Sequence, residues 1–112
     1  MFRSLGKEGE DLATKYLISR GFKILERNFR TPFGEIDIIA VKDGKLHFIE
    51  VKTRSSENFG RGAEAVDKRK LSHIVSSINF YLKGRNFDYE IGILDILKVG
   101  NDFEINYIRD IF

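Results

Sequence analysis

Apolar positions along this chain keep two different rhythms. Over Leu5 to Arg20, the residues Leu5, Leu12, Ala13, Tyr16 and Leu17 recur at helical spacing and share one face. Gly21 stops this predicted helix, because glycine accepts the left-handed conformation past a helix end. Glu8 and Asp11 fall away from the apolar stripe, whereas Glu10 lies at its edge, two turns before Leu17. From Phe22 to Phe29 the rhythm changes to alternation, with Phe22, Ile24, Glu26 and Asn28 set against Lys23, Leu25, Arg27 and Phe29. That pattern predicts a strand, broken at Arg30-Thr-Pro-Phe-Gly34.

The strongest local signal is a hairpin. The β-rich runs Glu35–Val41 and Leu46–Lys52 flank Asp43-Gly44, a favoured two-residue turn. With Lys42 facing Lys45, Asp37 stands opposite Glu50 and Glu35 opposite Lys52, all four on one face far from the turn. Alternation places Ile36, Ile38, Ile49 and Val51 on one side and Ile39, Val41, Leu46 and Phe48 on the other. Both faces are apolar, so the sheet is expected to be covered on both sides.

Residues 53–62 are polar and read as a loop. A second helix follows from Lys68 to Lys83, with Asp67 as N-cap, Val66 and Leu71 as a hydrophobic staple, and Gly84 as terminator. Leu71, Ile74, Val75, Ile78 and Leu82 form its buried stripe. Strands around Tyr89–Leu97 and Phe103–Arg109 meet at a Gly100-Asn101 turn. The expected order is α-β-β-β-α-β-β: an α/β fold with a central mixed β-sheet and helices on both faces, in a single domain over residues 1–112.

Composition narrows the function classes. The chain lacks cysteine, which excludes a disulfide framework, a thiolate nucleophile and a Cys-based metal site. No apolar run reaches the ~20 residues of a membrane span, and the N-terminus lacks the apolar stretch of a signal peptide. A cytoplasmic protein that does not act at membranes is expected. Residues 1–85 carry 17 Lys+Arg against 11 Asp+Glu, whereas residues 86–112 carry 2 against 6. The basic body suits a polyanionic partner.

Asp37 and Glu50 are the centre of the candidate chemistry. Like charges opposed across a hairpin repel, and buried carboxylates need compensation, which a divalent cation supplies. Their oxygens suit Mg²⁺ or Mn²⁺. Lys52 projects on the same side, where an ammonium can orient an attacking water or stabilise charge developing on phosphorus. Spacing alone equally permits a solvated ion-pair cluster in which Glu35 simply pairs with Lys52.

Asp37, twelve intervening residues and then Glu50-Val51-Lys52 resemble the core of the PD-(D/E)XK nucleases, with Ile36 in place of the proline. The wider string is Gly9-Glu-Asp-Leu-Ala13, Phe33-Gly-Glu-Ile-Asp-Ile-Ile-Ala40, Phe48-Ile-Glu-Val-Lys-Thr-Arg54 and Ala63-Glu-Ala-Val66 leading to Lys70. It resembles the YraN-like family of small uncharacterised bacterial proteins over nearly the whole chain, and those proteins are similar to archaeal Holliday-junction resolvases. The resemblance implies a restriction-endonuclease-like core and a metal-dependent DNA phosphodiesterase acting on branched or structured DNA. It further implies Asp37, Glu50 and the Val51 carbonyl as metal ligands, Lys52 as the third catalytic member, and Glu10 as a contributor from the first helix.

Arg54, Arg61, Lys68, Arg69 and Lys70 flank this site in sequence and are expected to hold a phosphate backbone. Three cations at a helix start oppose the helix dipole, which favours a functional role. Phe59 is a core or base-stacking candidate, His47 is expected to be packed away from Glu50, and His73 to be solvated. An apolar strip on the second helix can support a homodimer, as a two-fold junction requires. Two rival readings stand beside the nuclease: a non-catalytic nucleic-acid-binding or DNA-repair accessory protein, and a protein–protein adaptor with a structural charge cluster.

Overall fold

The computed structural model describes residues 4–56 and 68–109. The elements are α1 (Leu5–Ser19), β1 (Lys23–Thr31), β2 (Gly34–Lys42), β3 (Lys45–Ser55), α2 (Lys68–Leu82), β4 (Tyr89–Val99) and β5 (Asp102–Ile108). The order matches the sequence pattern. Ser4 caps α1, its hydroxyl accepting the Lys7 N–H at 3.1 Å. Gly21, at φ +90°, lets the chain reverse into β1. The proposed Asp67 cap and Val66 staple, Arg61 and Phe59 lie outside the described residues.

One five-stranded sheet runs in the order β1-β2-β3-β4-β5. Neighbours are antiparallel except β3 and β4, which pair in parallel from Leu46–Tyr89 to Ser55–Lys98. A parallel pair needs a crossover, and α2 lies within it. The two helices cover opposite faces. Ala13 and Leu17 of α1 pack with Phe22, Ile38, Ala40, Ile49, Leu94 and Ile96. Ile74, Ile78 and Leu82 of α2 pack with Ile36, Ile39, Leu46, Phe48 and Ile91.

The hairpin register is as read from the turn, with Lys42 facing Lys45 and Ile38 facing Ile49. Two details differ from strict alternation. The β2–β3 ladder ends at Ile38–Ile49, one pair short of Asp37 and Glu50. Ile36 also packs on the α2 side, away from Ile38. The cause lies in the neighbouring strand. Phe29 pairs with Ile36 and Arg27 with Ile38, which sets Asn28 against Asp37, and Asn28 is left-handed at φ +51°. That conformation swings the strand ends round, so Phe29 and Ile36 face α2 while Arg27 reaches α1. A register shift between Ile24 and Glu26 breaks β1 again, and Leu25 is exposed there.

His47 is buried as expected on the α1 side, its Nδ1 at 3.1 Å from both the Tyr107 hydroxyl and Glu90 Oε1. Glu90 is 4% exposed and also meets Arg109 Nε at 2.6 Å and Lys45 Nζ at 3.4 Å.

Candidate functional site

Where the β2–β3 ladder stops, side chains take over the backbone donors. The Val51 N–H donates to Asp37 Oδ2 at 2.8 Å, and the Asp37 N–H to Glu50 Oε2 at 3.5 Å. The opened seam thus anchors one oxygen of each carboxylate. Among the described residues the other oxygens, Asp37 Oδ1 and Glu50 Oε1, make no hydrogen bond, and neither acid forms an ion pair.

The two acids share a cavity of about 390 Å³ with Gly6, Glu10, Val51, Lys52, Thr53 and Lys70. Burial, and then the charge of Asp37, pushes the Glu50 carboxyl up to about 8. Asp37 is also raised, by burial and by Glu10 and Glu35, against the opposing pull of the Val51 N–H and Lys70. Burial and the nearby acids therefore disfavour the charged form of both carboxyls.

Glu10 reaches the cavity because α1 lies unusually close to β3. Gly9 sits on Thr53, and a Cβ at that position would fall on the threonine side chain. Arg27 then fixes the helix from below, 2.9 Å from Asp11 Oδ1 and 3.9 Å from Glu10 Oε1. The Asn28 amide, turned to donate, reaches Glu35 Oε1 at 2.9 Å and Glu10 Oε1 at 3.3 Å. Glu35 therefore faces Asn28 and Glu10, and no ion pair joins it to Lys52 among the described residues. Glu10 lines the cavity without completing a three-carboxylate group, since no such cluster of acids and histidines occurs among the described residues.

The sequence-selected cations separate. Lys52 and Lys70 line the cavity. Lys68 and Arg69 are exposed in the first turn of α2. The Arg54 guanidinium is bound in two-point fashion by Asp95, at 3.3 and 3.0 Å, so its donors are engaged within the sheet. His73 is exposed, as expected, yet lines a second small cavity beside Glu50. Arg27 and Asn28, which hold Glu10 and Glu35, were not singled out by the sequence. Their role depends on the left-handed turn of Asn28, which residue spacing does not reveal.

Fold and site together define a mixed α/β protein with an acidic opening at the end of its central hairpin, lined also by Lys52 and Lys70. The uncharacterised protein family UPF0102 matches residues 9–99. UPF0102 proteins of Fusobacterium nucleatum (42% identical, 97% of this chain and 91% of the relative), Syntrophomonas wolfei (44%, the full length of both) and Campylobacter fetus (48%, 81% of each) are similar to it. The chain belongs to this family. No helix among the described residues is long and apolar enough to cross a membrane.

Proposed function

We propose that this protein is a restriction-endonuclease-like phosphodiesterase that cuts branched or structured DNA with Mg²⁺ or Mn²⁺. The observation that carries this reading is the pair Asp37 and Glu50 in the opened seam, each with one oxygen fixed by a backbone N–H and the other turned to no donor among the described residues. The helix ahead of an antiparallel hairpin, and the crossover helix into a parallel strand, support the fold assignment.

The donor chemistry fits a hard divalent cation. Mg²⁺ is commonly held by one or two carboxylates, keeps several waters and accepts substrate phosphate oxygens. Asp37 and Glu50 would hold it, with the Val51 carbonyl as the third protein oxygen. When bound, the cation neutralises the paired acids and polarises a phosphate oxygen. The chain's own groups do the rest. Lys52, two residues beyond Glu50 and in the same cavity, holds a water or a phosphate oxygen by donating to it. Lys70 brings a second ammonium from α2 and attracts the phosphate. Glu10, held by Arg27, accepts a proton from water on the α1 side.

The test is cleavage of a labelled panel (four-way junction, flap, single strand and plain duplex) with Mg²⁺ or Mn²⁺. Cutting is expected for a branched member and is lost in EDTA. Lys52→Ala and Asp37→Asn are each expected to slow it by about 10²–10⁴-fold. Absence of cleavage, with salt-sensitive DNA binding that survives both EDTA and Asp37→Asn, would replace the enzyme by a binding protein.

A further inference from the structure

The turn from β1 to β2 presents Phe33, a phenyl ring left 48% exposed. A single exposed aromatic is ordinary, but this one is held on a built support. Pro32 precedes it and fixes the backbone φ. The Thr31 hydroxyl accepts the Phe33 N–H at 3.0 Å and donates to the Gly34 carbonyl at 2.9 Å. The same hydroxyl meets Ser77 Oγ at 2.8 Å, and Ser77 is a 1% exposed residue of α2. The turn is thereby pinned to the helix, and the backbone that carries the ring has little freedom left to lose on binding.

Its surroundings point to the kind of ligand. Phe33 lines a cavity of about 170 Å³ with Glu35, Glu50, Lys70 and His73. Glu50 and Lys70 also line the carboxylate cavity, so the two spaces meet at those residues. A flat apolar ring here stands beside an ammonium and an imidazole, and next to the opening proposed to hold a phosphodiester. We infer that Phe33 stacks on an unpaired nucleobase flanking the phosphodiester held at Asp37 and Glu50, with Lys70 and His73 beside the adjoining phosphate. A base can lie on this ring only if it is free of its partner strand, so the substrate has an unpaired nucleotide next to the scissile bond. The inference rests on the phosphodiesterase reading of the neighbouring site.

The chain contains no tryptophan, so Phe33→Trp installs a single reporter at the proposed contact. The experiment is a fluorescence titration with a short single-stranded DNA oligonucleotide and with its blunt duplex, in the Lys52→Ala background to keep the strand uncut. A series carrying one abasic residue moved along the strand completes it. Emission is expected to be quenched by the single strand and much less by the duplex. Phe33→Ala is expected to weaken single-strand binding by about five- to a hundredfold. Phe33→Trp retains that binding, and one abasic position reproduces the alanine loss. Because the ring is exposed, thermal melting of Phe33→Ala should match its parent. Single-strand binding that is indifferent to Phe33→Ala, or that leaves the tryptophan unquenched, overturns this inference while leaving the phosphodiesterase reading intact. If neither oligonucleotide binds the Phe33-intact parent, the stacking role fails, and the branched-panel cleavage assay decides the phosphodiesterase reading separately.

Discussion

The two ends of the central hairpin handle buried acid in opposite ways. At the turn end, Glu90 is enclosed by Arg109, Lys45 and His47, and the Tyr107 hydroxyl completes the cluster through His47. At the open end, Asp37 and Glu50 are set against each other, with Glu10 and Glu35 adding charge of the same sign. The first arrangement sets groups of the chain itself, Arg109, Lys45 and His47, against the acid. In the second, like charges face each other, with Lys70 opposing them, and the charged form of both acids is disfavoured. Burial of an acid does not distinguish a structural site from a functional one. The sign of the charges around it does.

The same chemical change should therefore have opposite effects at the two ends. Glu90→Gln removes the charge that Arg109 and Lys45 surround, and should cost about 3 kcal/mol in urea denaturation. Glu50→Gln should stabilise the chain in metal-free buffer. The folded Glu50 keeps its proton up to about pH 8, whereas the unfolded group releases it near its ordinary value of 4.5. The folded chain binds more protons in that window, so wild-type stability falls as pH rises through it. The gain from Glu50→Gln should thus be small at pH 5 and about 2 kcal/mol at pH 8, reduced from the full shift by partial exposure. Asp37→Asn should act in the same direction. A loss of stability in both variants would reassign the open end as a structural ion cluster. A smaller change is expected at the helix seat, where Gly9→Ala should cost about 1–2 kcal/mol despite alanine's better helix propensity. Thr53→Ala in the same chain should restore part of that loss. An additive double variant would mean that the contact does not set the spacing of α1 from β3.

Much of this contrast was legible in the residues. Asp43-Gly44 fixes the hairpin register, which leads toward Asp37 and Glu50 but stops one pair short of them at Ile38–Ile49, where side-chain bonds to the Val51 and Asp37 amides take over. Glu10 was legible as an edge position on α1 and does reach the cavity. Helical and alternating rhythms located every described element because each has one or two apolar faces to bury. What stayed hidden depends on contacts between distant segments. His47 meets Tyr107 sixty residues away, and Arg109 closes on Glu90 across β4 and β5. Arg54 was selected for its charge, and only the parallel β3–β4 pairing shows Asp95 beside it. The left-handed Asn28 was equally invisible, since asparagine tolerates that conformation without requiring it.

The early end of the β2–β3 ladder has a spectroscopic consequence. The Val51 amide is bonded to a side-chain oxygen whose charge can change, and charge strengthens such a bond. Its proton resonance should move downfield as Asp37 ionises and should move again when a cation draws the same carboxylate toward itself. Amides bonded within the β2–β3 ladder, which ends at Ile38–Ile49, have carbonyl acceptors whose charge is fixed. The chain thus carries in its own backbone a label for the occupancy of the site, readable by nuclear magnetic resonance without any substrate.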